Sequence, residues 1–381
     1  MDDFLGQMVE PEALTPTDPS QFEKIEEITM LSRDGYRLVK EDKIDEAINA
    51  FAKILAIEPA NSYALVGLGN CERKKGHYKE ALNYYSQCIE YSPENNYALF
   101  GLADCYKSLM QYQKAIDIWE RYMVHDDKNV TVLTRIADAY RKVRNFENSK
   151  RTYERVLEIE ADNQYALTGL SLLYYDFKNY RTALESWQKV LSLSKDDVDI
   201  RVLTSIGNCY RKMRDFAEGL KYFEKALEKD ANNFYALFGI ADCYRGTNQQ
   251  FKSIEYWNKI LEQCPNNKVI LTRAGDAYRS AGKIDTAIQY YQRALDIEFD
   301  LYAVLGMAII HKQQGNYKVA VEELTPLIQA DPGNHRVYLE LSECYVKLGQ
   351  KKEAIEVLQK FTRTGIKNFI VTETLERLKN S

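Results

Sequence analysis

What this sequence lacks narrows its function before anything else does. It has four His, at positions 77, 125, 311 and 335, too scattered to suggest a metal-ligand cluster. No GxxxxGK[ST] or GxGxxG run occurs, so no glycine-rich loop is available to cradle a phosphate. Seven Cys form no CxxC pair. The longest apolar stretch, 303–310, is far short of the ~20 residues that span a bilayer. The opening Met1-Asp2-Asp3 has neither a basic segment nor an apolar core, so no secretory signal is expected and the reading is a cytoplasmic protein. A surplus of one charge is missing too. The 51 Lys and Arg are interspersed with 56 Asp and Glu, a net −5, which argues against nucleic-acid binding. No catalytic triad, cofactor site or metal site is expected, and the chain is read as no enzyme.

What is present is a period. A small residue is followed four positions later by a bulky one at Ala47/Phe51, Ala81/Tyr85, Ala115/Trp119, Ser149/Tyr153 and Ala183/Trp187. The series continues at Gly219/Phe223, Ser253/Trp257, Ala287/Tyr291, Ala320/Leu324 and Ala354/Leu358. The small residues recur every 34 positions, with one spacing of 36 and one of 33. Such a period marks an array of supersecondary units rather than separate domains. Each unit reads as two helices. In the first, intervals of three, four and seven lay one apolar stripe along a helix, as at Leu99, Leu102, Ala103 and Tyr106. A small residue recurs here too, from Gly35, Gly69 and Ala103 to Ala308 and Ser342. Facing small sites let helix backbones approach closely. Asn61, Asn95, Asn129, Asn163, Asn233, Asn267 and Asn334 precede first helices as expected N-caps, with Asp199 and Asp300 in the irregular joints. Cys71, Cys105, Cys209, Cys243 and Cys344 share one repeat position with Ala139 and Ala277, which makes them packing residues.

In its length and its small-small-aromatic pattern this array resembles the tetratricopeptide repeat (TPR) family, over about ten repeats. The resemblance implies an all-α, right-handed superhelical solenoid of antiparallel helix pairs. The family's terminal Pro survives only at Pro59, Pro93, Pro265 and Pro332, and its first-helix Trp is replaced by Leu, Val or Tyr. The expected organisation is an acidic disordered tail over 1–19, the array over 20–364 and a capping helix over 365–381. Ser20-Gln-Phe-Glu23 is a capping-box match expected to start the first helix, and Pro326 is expected to kink a second helix.

A second period overlies the first. The run from Tyr97 to Tyr106 differs from that of Tyr235 to Tyr244 only in Leu102 against Ile240. Between them lies an alternate type, Leu133-Thr-Arg-Ile-Ala-Asp-Ala-Tyr and Leu271-Thr-Arg-Ala-Gly-Asp-Ala-Tyr. All three Trp fall at the same second-helix site of the third, fifth and seventh repeats.

In the TPR family the concave face is lined mainly by first helices and holds a protein or an extended peptide. Carried over, the lining residues of the second repeat are Asn70 and Arg73, and those of the third Tyr97, Phe100, Asp104, Lys107 and Ser108. The fourth offers Thr131, Thr134, Asp138, Arg141 and Lys142, and the sixth Arg201, Thr204, Asn208, Arg211 and Lys212. The seventh gives Tyr235, Phe238, Asp242, Arg245 and Gly246, the eighth Thr272, Asp276 and Arg279. An Asp or Asn followed three residues later by Lys or Arg thus recurs in six repeats. It reads either as a set of within-helix ion pairs or as a row that hydrogen-bonds a bound chain. Mid-helix Gly67, Gly101, Gly169, Gly239 and Gly306 imply a close visitor, either a neighbouring helix or a bound chain. The family's carboxylate clamp is not expected, because Val66 stands where its Lys belongs. The expected function is a non-enzymatic interaction scaffold or adaptor without membrane insertion. Alternatives are a self-assembling structural protein, including a homodimer, or a regulatory subunit of an enzyme complex. The acidic tail is read as an inert terminus or as a ligand for the chain's own groove.

Overall fold

The computed structural model describes residues 19–194 and 198–380. The tail over 1–18 lies outside the described residues. The chain divides into two compact units, one ending at Asn179 and the other beginning at Tyr180.

The first unit holds α1 (Pro19–Lys40), α2 (Ile44–Ile57), α3 (Ser62–Lys74), α4 (Tyr78–Tyr91), α5 (Asn96–Ser108), α6 (Tyr112–Tyr122), α7 (Val130–Lys142), α8 (Phe146–Ile159) and α9 (Gln164–Asp176). The second holds α10 (Tyr180–Leu193), α11 (Ile200–Lys212), α12 (Phe216–Lys229), α13 (Phe234–Gly246), α14 (Gln250–Gln263), α15 (Lys268–Ser280) and α16 (Ile284–Ile297). It ends with α17 (Leu301–Gln313), α18 (Tyr317–Ala330), α19 (His335–Lys347), α20 (Lys351–Thr362) and α21 (Phe369–Asn380). Odd-numbered helices up to α19 are the first helices of the repeats. The fold is all-α, a helical solenoid in which, within each unit, each helix packs on its neighbours in sequence, and first helices also touch one another, α3 on α5 and α11 on α13.

The small site of every second helix is fully buried, from Ala47 to Ala354. Where Ser replaces Ala, its hydroxyl donates to a carbonyl of the facing helix: Ser149 to Ala137 and Ser253 to Ala241, both at 2.8 Å. This satisfies a polar group that burial would otherwise penalise.

Most expected caps are made. The Oδ1 atoms of Asn61, Asn95, Asn129, Asn163, Asn233 and Asn267 each accept the backbone N–H three residues on, at 2.9–3.2 Å. Asp300 does the same for Ala303. Asp199 instead takes the N–H of Arg201 and grips that residue's guanidinium. Asn334 makes no side-chain cap, while nearby Asp331 accepts the Gly333 N–H. The capping-box expectation also needs correcting. The helix already starts at Pro19, a residue suited to the first helical position because its missing N–H would have no partner there. Helix α18 continues through Pro326 without a break.

Candidate functional site

Helix periodicity puts residues three or four apart on one face, so Tyr97, Phe100, Asp104 and Lys107 form a row along α5. The equivalent row on α13 is Tyr235, Phe238, Asp242 and Arg245. Asn70 and Arg73 on α3 and Asn208 and Arg211 on α11 precede these rows. Thr134, Asp138 and Arg141 on α7, and Thr272, Asp276 and Arg279 on α15, follow them.

The structure engages most of these groups internally, and not in the simple within-helix pattern. Asp104 is only 7% exposed and pairs across repeats, with Arg135 Nη1 at 2.5 Å and Arg73 Nη1 at 3.7 Å, rather than with Lys107 on its own helix. Asp242, 8% exposed, is held by Arg211 of the preceding repeat and by Arg245 three residues on, the latter at 2.7 Å. Burial pushes the Asp242 carboxyl up, but Arg245 and Arg211 together outweigh it and hold its pKa below the ordinary value. Arg141 reaches Asp176 at 2.7 Å and Asp138 at 3.4 Å.

A second set of partners comes from the bulky residues of the second helices. Tyr85 donates its hydroxyl to Asn70 at 2.8 Å, Tyr153 to Asp138 at 2.6 Å and Tyr291 to Asp276 at 2.8 Å. Burial pushes all three phenols above their usual range. Where the sixth repeat has Phe223, Asn208 accepts from Arg211 instead, at 2.9 and 3.1 Å. Arg279 bonds both Asp276 and the Tyr291 oxygen at 3.3 Å. The threonines are committed as well. Thr134 and Thr204 donate to their own helix, at Val130 and Ile200, and Thr272 is buried with its hydroxyl unpartnered.

Aromatic groups complete the face. The guanidinium of Arg135 lies 4.9 Å over the Phe100 ring, and that of Arg211 lies 5.9 Å over Phe238. Phe238 in turn meets Trp257 edge-on at 5.1 Å. Tyr97 is half-buried against the cluster around Leu65 and Ala98, whereas Tyr235 is 68% exposed. Lys107 and Arg273 make no ion pair among the described residues.

The mid-helix glycines are explained by packing. A Cβ on Gly67 would lie 2.5 Å from the Phe51 ring, on Gly101 2.3 Å from Tyr85, on Gly239 2.3 Å from Phe223 and on Gly306 2.3 Å from Tyr291. The visitor is the ring of the preceding repeat, not a bound chain. Each of these rings is also pressed by a glycine of its own repeat, such as Gly35 for Phe51 and Gly69 for Tyr85. This register accounts for part of the second period, since Trp187 is followed by Ser205. A Tyr or Phe ring is followed by glycine in the next repeat, whereas Trp119 and Trp257 are followed by Arg135 and Arg273 at that position. Arg135 turns to the Phe100 ring and to Asp104. Sequence reasoning passed over both arginines, although the Gly-to-Arg exchange at one repeat position was their signal.

Six of the seven thiols are buried. Burial pushes Cys71, Cys105, Cys209 and Cys243 up to about 12 and Cys88 and Cys344 up to about 11, so they pack as inert thiols.

Tetratricopeptide repeat descriptions match residues 130–163, 200–233, 235–267, 270–301 and 311–363. This chain is a tetratricopeptide repeat protein. Residues 40–122 of this TPR protein are similar to another family, anaphase-promoting complex (cyclosome) subunit 3. Among solved structures, a tetratricopeptide repeat protein from Parabacteroides merdae ATCC 43184 shares its fold at a TM-score of 0.52 and 18% identity, covering 66% of this chain and 99% of the other. Pseudomonas aeruginosa pilF aligns at 0.47 and 13% identity, over 56% of this chain and 96% of its own. YrrB, described as a TPR protein with an unusual peptide-binding site, aligns at 0.41 and 18% identity, over 49% and 95%. No curated protein matches the sequence. No described helix of this TPR protein is long and apolar enough to cross a membrane.

Proposed function

We propose that this TPR protein is a non-enzymatic interaction scaffold whose first-helix face binds an extended protein segment carrying acidic side chains and an apolar anchor. The observation that carries the reading is the charge around the Phe rings. Arg73 and Arg135 share the single carboxylate of Asp104 in one unit, and Arg211 and Arg245 share Asp242 in the other, while Lys107 and Arg273 make no ion pair among the described residues. This cationic excess sits in a chain whose net charge is −5. A guanidinium has five N–H donors in a planar fork, so one already bonded to Asp104 keeps several for a visiting carboxylate. Desolvation by a bound chain strengthens such pairs, and Tyr97 or Tyr235 supplies a flat apolar surface beside them. The buried carboxylates hold the guanidiniums in place, which lowers the ordering cost of binding.

The test is selection of displayed dodecapeptides on the immobilised full chain. Acidic peptides with an aromatic or aliphatic residue should be enriched. A chemically made, labelled copy should then bind in anisotropy titrations. Its affinity should fall at least about tenfold in an Arg135→Ala, Arg273→Ala double variant and weaken as salt rises, as charge-assisted contacts do. Enrichment of basic peptides, or binding indifferent to both the variant and the salt, would sink the reading.

A further inference from the structure

The two faces just described are copies of one another, 138 residues apart (Tyr97 to Tyr235), and each lies inside one compact unit. Each holds a buried Asp gripped by two guanidiniums and a Phe ring beneath a guanidinium. The copies also differ. Arg135 is the second cation on Asp104, but Arg245 takes that place on Asp242 and leaves Arg273 without an ion pair among the described residues.

On the second helices exposed Gln113 corresponds to Phe251, while Lys114 against Lys252, Asp117 against Glu255 and Arg121 against Lys259 keep their charge. On the first-helix face Tyr, Phe, Asp and Arg stand unchanged, and Lys107 against Arg245 keeps its charge. Core residues persist because the fold needs them. Tyr stands at this repeat position at 63, 165 and 302 as well, but Arg273 lacks an ion-pair partner among the described residues, so ion pairing gives it no reason to match Arg135. A common ligand does.

We propose that the two faces are equivalent sites and that one chain holds two acidic peptide segments of the same kind at once, one in each unit. The partner is then a protein that repeats such a segment, or two copies of a protein carrying it once. This rests on the peptide-binding reading above.

Isothermal titration of the full chain with the selected acidic dodecapeptide tests it. Two peptides should bind per chain. The Tyr97→Ala, Arg135→Ala variant and the Tyr235→Ala, Arg273→Ala variant should each bind one, and the fourfold variant none. Circular dichroism confirms that each keeps its helicity. The single changes Tyr97→Ala and Tyr235→Ala, at half-buried and exposed rings, guard against loss of fold and should each weaken one of the two events several-fold. One peptide per wild-type chain, abolished by only one of the double variants, overturns the twin-site proposal and leaves the scaffold reading standing. Binding that none of the variants changes overturns both.

Discussion

Asp242 shows how one side chain on this face is held and what it contributes. Its carboxylate is buried, so ionisation alone would be unfavourable, yet Arg245 and Arg211 more than offset that and lower its pKa. A carboxyl whose folded pKa lies below its unfolded value of about 3.9 stabilises the fold above that pH, and the contribution disappears as pH falls through the lower value. Replacing one member of such a pair leaves the other charges unmatched, which costs about 3–5 kcal/mol when the site is buried. Asp242→Asn should therefore melt well below wild type at pH 7, and the gap should close as pH falls below about 4. Thermal unfolding at neutral and at acid pH measures it. A gap of equal size in acid would mean that shape and hydrogen bonding, not the ion pairs, hold Asp242.

At the scale of the helix, the ring-to-glycine register decides what each position tolerates. Alanine in place of a mid-helix glycine ordinarily stabilises a helix by roughly 1 kcal/mol. At Gly101 the added Cβ would lie 2.3 Å from the Tyr85 ring, which is clamped by Gly69 and by its bond to Asn70. Overpacking of that kind costs about 1–3 kcal/mol, so Gly101→Ala should destabilise the protein, with the sign opposite to helix propensity. Chemical denaturation reads the sign directly, and a gain in stability would show that the ring moves aside freely. The same register shows what was legible beforehand. The period, both helices of each repeat, the small facing sites and most Asn caps follow from local spacing, which the residues carry on their own. The identity of ion-pair partners does not. Arg211 chooses Asp242 across 31 positions and Arg135 chooses Asp104 across the same span, and only packed helices reveal that a within-helix partner such as Lys107 is passed over. Arg135 and Arg273 went unread because they lie outside the Asp/Asn-to-Lys/Arg spacing that recurs in six repeats. Their meaning lies in where the recurrence breaks.

In an array each repeat touches only its neighbours, so stability is a local quantity that adds along the chain. The C-terminal end tests this. Helix α21 buries Val371 completely and Leu375 almost so, in the cluster that contains Leu341, Leu358 and Phe361. Burying a Val and a Leu side chain contributes about 1.5–3 kcal/mol each, so α21 adds roughly 4 kcal/mol to the repeat it covers. Ending the chain at Gly365 would expose that apolar surface. Hydrogen exchange followed by mass spectrometry should then show faster exchange in α19 and α20, a smaller change in α17 and α18, and none in α11 to α15 or in the first unit. Protection lost evenly from α10 to α20 would instead show that the second unit opens as one block, and nearest-neighbour coupling would be the wrong description. The same logic constrains the binding face. Ligand contacts on α13 and α15 should protect those helices and their immediate neighbours, while the counterpart on α5 and α7 responds only when its own peptide is bound. Exchange measured with the Tyr235→Ala, Arg273→Ala variant therefore isolates the first unit's site, and protection confined to α3 through α8 is the pattern a self-contained site must give.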